Sequence, residues 1–183
     1  MINNRKTTGY RKQILGSLLF LLLGIILFIA LTPTTHILIQ STQNNGKPLT
    51  CVWNEDEFSL KWRHSVEKQY WQEDYQRQEQ RLLLTHSYMQ TFGAGTPSVG
   101  QPINAPDGYV GLASHLAFDE LNWVVSSVMQ GVILSNNHYL PIYQLVPEHT
   151  VVHISPITHP YIKWLFMESC NNDDNTNESR FNQ

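Results

Sequence analysis

Residues 14–31 contain no charged side chain, and the four charges that precede them, Arg5, Lys6, Arg11 and Lys12, are all basic. An α-helix of that length reaches about 27 Å, close to the hydrocarbon thickness of a bilayer, so the segment is long enough to cross a membrane once. A cleaved signal peptide has a shorter apolar core and a small-x-small cleavage site. Length therefore favours an uncleaved signal anchor. The positive-inside rule then leaves residues 1–13 in the cytoplasm and sends everything after residue 31 to the outer face. The expected location is the inner (cell) membrane, single pass, with the C-terminal domain on the periplasmic side.

Five regions follow from composition. They are a cytoplasmic N-terminus (1–13), the transmembrane anchor (14–31), a stalk (32–48), one exported domain (49–170) and a polar, disordered tail (171–183). Pro33 ends the apolar run, and Asn44, Asn45 and Gly46 give the stalk its loop chemistry. Residues 46–170 hold seven basic against twelve acidic residues, which argues against nucleic acid as a partner. Cys51 and Cys170 lie near the two ends of the exported domain, in an oxidising compartment. They are available for one disulfide or stand as two separate thiols, because spacing alone does not establish pairing geometry.

Within the domain the dominant signal has period two. Phe58, Leu60 and Trp62 alternate with Ser59, Lys61 and Arg63, and Trp71, Glu73 and Tyr75 alternate with Gln72, Asp74 and Gln76. A third strand is expected over 81–92, with Leu82, Leu84, His86 and Tyr88 on one face, which completes a meander. Residues 93–106 read as a long loop, and apolar positions 112, 113, 116, 117 and 121 fit a short helix. Strands are expected again at 123–128, 131–134, 139–143 and 149–154, with a hairpin turn at 135–138 and a helical turn or two over 160–167. The class is mainly β, a small antiparallel β-sandwich or open barrel preceded by one N-terminal transmembrane helix.

Charged groups on an apolar face mark the candidate site. Continuing the alternation puts His64 with Trp62, and Glu73 lies between Trp71 and Tyr75, so both side chains need a partner once desolvated. The expectation is a hydrogen bond between His64 and Glu73 across the first hairpin, with His86 near it. Such a cluster reads first as a structural polar network. The alternative is a metal or ligand site built from His64, Glu73 and His86, although the spacing matches no zinc motif. Ser65 beside His64 is no catalytic pair, since alternation sends the two to opposite faces, and no nucleophile elbow or cofactor motif occurs. Gly93 and Gly95 serve a tight bend rather than a phosphate cradle. His138 is expected in an exposed turn, Asp107-Gly108 in a turn, and Tyr109, Tyr161 and Trp164 in ordinary packing.

The run Phe58-Ser59-Leu60-Lys61-Trp62-Arg63-His64-Ser65-Val66-Glu67-Lys68, then Trp71-Gln72-Glu73-Asp74-Tyr75, then Phe92-Gly93-Ala94-Gly95-Thr96-Pro97 and Asp107-Gly108, resembles a bacterial domain-of-unknown-function family. Its members are commonly encoded beside TAXI-type TRAP transporters. The resemblance spans residues 51–143, with His64, Ser65, Glu67, Glu73, Gly93, Gly95 and Pro97 at the motif positions. It implies an accessory role in small-solute uptake, with the transporter permease or its solute-binding protein as partner. It supplies no catalytic residue and no cofactor. The expected function is binding rather than catalysis.

Overall fold

The computed structural model describes residues 5–41, 48–93, 95–135 and 138–170, with side chains from residue 13 onward. Two compact units emerge, Met1–Thr34 with His159–Phe166, and Thr35–Thr158 with Met167–Gln183.

The first unit holds helix α1 (Arg5–Leu31), whose segment Gln13–Leu31 is long and apolar enough to cross a membrane and is unburied among the described residues. The same unit contains the short helix α3 (Tyr161–Trp164), in the region where the sequence places a helical turn.

The second unit is mainly β, with two antiparallel sheets in a sandwich-like arrangement. One sheet has four strands in the order β2-β1-β11-β8, formed by Thr50–Trp53, Pro33–Ser41, Val151–Pro160 and Leu121–Val124. The other has seven in the order β10-β9-β3-β4-β5-β7-β6. Its centre is the meander read from the sequence, β3 (Glu57–Arg63), β4 (Tyr70–Gln78) and β5 (Arg81–Met89). Flanking it are β9 (Val132–Leu134) with β10 (Tyr139–Leu140), joined as the expected hairpin, and β7 (Val110–Phe118) with β6 (Gln101–Ile103). One core joins the sheets, with Ile37, Ile39, Trp53, Val152 and Ile154 on one side and Phe58, Leu60, Tyr75, Leu82, Leu84 and Ile133 on the other.

Several sequence expectations change. Pro33–Ser41, assigned to the stalk, is strand β1, and its Ile37, Leu38 and Ile39 are fully buried. The polar residues that suggested a stalk, and the tail beyond residue 170, lie outside the described residues. Where a helix was expected over 112–121, strand β7 runs to Phe118 and a two-residue link leads into β8 at Leu121. Between Leu84↔Leu116 and His86↔Ala113 the register advances two residues on β5 and three on β7, so a bulge interrupts the alternation and leaves a spacing that imitates a helix. The 93–106 loop contains β6. The strand expected over 139–143 stops at Leu140 and gives way to the single turn α2 (Ile142–Leu145).

Cys51 and Cys170 are joined in a disulfide across a sequence separation of 119, with Cα atoms 4.9 Å apart. Around it Val52 N–H donates to Glu168 O at 2.8 Å and Cys170 N–H to Val52 O at 2.9 Å, so the end of the described chain is stitched to strand β2. Closing so long a loop removes unfolded-state entropy worth about 4–5 kcal/mol in the chain-entropy treatment. Replacing both cysteines by alanine in the detergent-solubilised full chain should lower the free energy of urea unfolding by about that amount. Reducing the wild type with dithiothreitol before the titration should move its midpoint to that of the double variant.

Candidate functional site

A floor of aromatic rings positions the site. Trp62 and Trp71 face each other across β3 and β4 with ring centroids 6.1 Å apart, and Trp123 meets Trp62 edge-on at 6.3 Å. Trp71 packs with Met89 and Leu112 in a second buried cluster, flanked by Trp62 and Val110. The His64 ring lies over Trp71 at 5.0 Å, nearly parallel, one residue past the end of β3.

From there the chain turns through residues 64–69. His64 N–H donates to Gln69 O at 2.7 Å, Lys68 N–H to His64 O at 3.0 Å, and Arg63 Nε–H to Lys68 O at 2.8 Å. Lys68 adopts φ +60°, the left-handed conformation that closes the turn. The turn brings the Glu67 carboxylate back onto His64, with Nδ1 2.5 Å from Oε2 and both side chains largely covered. The same Nδ1 accepts the backbone N–H groups of Val66 and Glu67, each at 3.4 Å, so the turn is wound around this ring nitrogen.

The Glu67 carboxylate also lies directly against Gly93. A Cβ at that position would stand 2.0 Å from Glu67 Oε1 and 2.5 Å from its Cδ. The two sequence motifs, separated by some 25 residues, are therefore one structure. The 90–97 loop is tied to the turn by Gln90 Oε1, which accepts Tyr70 N–H at 2.9 Å, and by the Thr91 hydroxyl, which donates to Gln69 Oε1 at 2.6 Å. It is closed on itself by Thr96, whose Oγ1 accepts Gly93 N–H at 2.8 Å and donates to Gly93 O at 2.9 Å. Gly95 has φ +84°, where a side chain would be strained, so the bend role expected of it is seen directly. Ser65 is exposed and Pro97 half-buried.

The expected partnership of His64 with Glu73 does not form. Strand register sets Glu73 opposite Leu60, four residues before His64, which corresponds to about 13 Å of strand. Glu73 instead accepts a 2.7 Å hydrogen bond from the Tyr75 hydroxyl. His86 is on the other face. A bulge between Asp74 and Tyr75 inserts Thr85 as an extra residue in β5, so the face holding Leu82 and Leu84 continues through Ser87 and Met89. His86 and Tyr88 turn outward, and His86 approaches Asp74 at 3.8 Å. Among the described residues no group of three His, Cys, Asp or Glu side chains is placed to hold a metal ion.

His138, expected in solvent, is half-buried instead. Its Nδ1 meets Glu55 Oε1 at 2.5 Å and its ring meets Trp53 edge-on at 6.0 Å. Gly108 has φ +82° and Tyr109 N–H donates to Pro106 O at 3.0 Å, as the Asp107-Gly108 turn requires. The residues that sequence reading missed are Trp62 and Trp71 as a platform and Gln69, Gln90, Thr91 and Thr96 as ties. A histidine followed three residues later by a glutamate at the end of a strand was the one available sign of the local pair.

Burial raises the Glu73 carboxyl above its ordinary value, opposed in part by the bond from Tyr75. The folded state thus holds a proton that the unfolded chain has already released, and the associated stability is present at acid pH and lost as pH rises through the raised value. Glu73→Gln keeps an acceptor for Tyr75 and removes the ionisation. Its melting temperature should match the wild type below the carboxylate range and exceed it at neutral pH, measured by thermal melts across pH.

Gly93→Ala should cost at most about 1 kcal/mol in the wild-type background, because the new methyl displaces only the flexible end of Glu67 from His64. In a Glu67→Ala background the same substitution should cost close to nothing, a coupling read from a double-mutant cycle of urea midpoints.

No curated protein and no solved structure matches the chain. Residues 58–142 match the family described as "Domain of unknown function (DUF1850)", a span running from β3 to the start of α2 that encloses His64, Glu67 and Gly93. The matched residues are thus similar to that family, and they lie within a β-sandwich that extends beyond the match at both ends.

Proposed function

We propose that this protein is a membrane-anchored accessory subunit of a TRAP-type (TAXI) small-solute uptake transporter, acting by binding rather than by catalysis. The helix anchors it in the inner membrane, with the sandwich on the periplasmic side. An apolar helix and a disulfide are both consistent with an exported, anchored chain. The link to the transporter rests on the motif resemblance.

One observation carries the binding reading: the motif residues build a braced loop end. The His64–Glu67–Gly93 contact fixes the 64–69 turn against the 90–97 loop, and the neighbours of that contact, Val66 and Phe92, project into solvent. Exposed apolar side chains on a rigid frame make a recognition surface, because little order has to be gained on docking. The partner is the permease or its solute-binding protein.

The test is affinity purification of the tagged full-length chain from mild-detergent membranes, comparing wild type with Phe92→Asp and Val66→Asp. Both substitutions are at exposed positions and leave the core untouched. Recovery of a TRAP permease or solute-binding protein with the wild type, falling by about tenfold or more with either variant, is the expected result. A stable wild-type protein that enriches no transporter component sinks the reading.

A further inference from the structure

The segment 159–166 lies in the same compact unit as the apolar helix. Tyr161 N–H donates to Thr32 O at 2.9 Å, and the Trp164 indole N–H donates to Thr34 O at 3.1 Å. Thr32 is the first residue after the candidate span Gln13–Leu31. The two bonds therefore fix α3 at the depth where the span ends.

What α3 presents there is apolar and uncovered. Trp164 is buried, while Leu165 is 63% and Phe166 85% exposed, with Tyr161 and Ile162 also open. The adjoining end of α1 is equally uncovered, with Phe28 and Leu31 exposed, so the two apolar surfaces belong to one unit and one level. Lys163 is the sole charge between residues 160 and 167, and its ammonium donates to His159 Nε2 at 2.7 Å. Two aromatics with polar handles, three large apolar side chains and one lysine form the composition that settles at a headgroup boundary.

We infer that residues 161–166 form a second membrane contact, an interfacial foot whose Ile162, Leu165 and Phe166 enter the acyl boundary of the outer leaflet beside the end of α1. The occupant of this face is the lipid bilayer, because the hydrogen bonds to Thr32 and Thr34 hold it level with the end of the lipid-facing span. The inference rests on the anchored reading above. It deepens that reading by giving the chain two points of attachment, one of them supplied by residues more than a hundred positions from the helix in sequence.

The experiment places the full-length chain in nanodiscs of phosphatidylcholine and phosphatidylglycerol with brominated acyl chains. Phe166→Trp, Leu165→Trp and a mid-span control, Leu22→Trp, are compared with the wild type by difference emission. Positions 165 and 166 are exposed, so neither substitution disturbs packing. Bromines near the headgroup should quench the emission added at 166 and 165 at least about twofold more than bromines near the chain tips, with the reverse order for the control. Unquenched emission at 166 and 165 with a quenched control overturns the foot and leaves the anchor standing. Blue-shifted but unquenched emission there means that protein covers the segment, which also overturns it. An unquenched control means that the helix is not in the bilayer, and the anchored reading fails first.

Discussion

Alternation along the strands, and the two places where it slips, organises this protein. In a pleated sheet a one-residue insertion exchanges the faces of every side chain beyond it. The extra residue at Thr85 sends Ser87 and Met89 inward and His86 outward, and β7 answers it with a register shift of its own between Ala113 and Leu116. The Thr85 hydroxyl spans the first slip by donating to Asp74 O at 3.0 Å. Because Met89 turns inward, it completes the cluster with Trp71 and Leu112 that supports His64. The local pair at the motif thus depends on a defect in pairing several residues away.

Desolvation then decides how the polar groups near that cluster are satisfied. His64 reaches Glu67 within its own turn, and Glu73 uses its strand neighbour Tyr75. Each solution is local, and local partners are reached at little cost in conformational entropy. The Glu67 carboxylate lies between the imidazole and Gly93, so a side chain at 93 would have to displace it.

The covalent and non-covalent ties at the chain's periphery complement this arrangement. The disulfide closes β2 onto the segment at 168–170, and β1 follows the apolar helix with a single residue between them. That directness removes most of the stalk inferred from the polar residues that follow. Ile37 and Ile39 are core residues only because β1 is an inner strand of the four-stranded sheet, between β2 and β11.

The sequence by itself determined the features that local rules govern. These were the membrane-length helix, the β3–β4–β5 meander, the β9–β10 hairpin and the bend at Gly95, since length, period two and positive φ are properties of short windows. It marked His64, Glu67 and Gly93 as motif positions, but it offered His64 to Glu73 because unbroken alternation leaves no other partner. Only the tertiary structure decided the slips in register, the buried β1, the pairing of Cys51 with Cys170 and the contact of Glu67 with Gly93. Each of these depends on which strand lies beside which, and that choice is settled by packing across the whole sandwich, where segments distant in sequence compete for the same core.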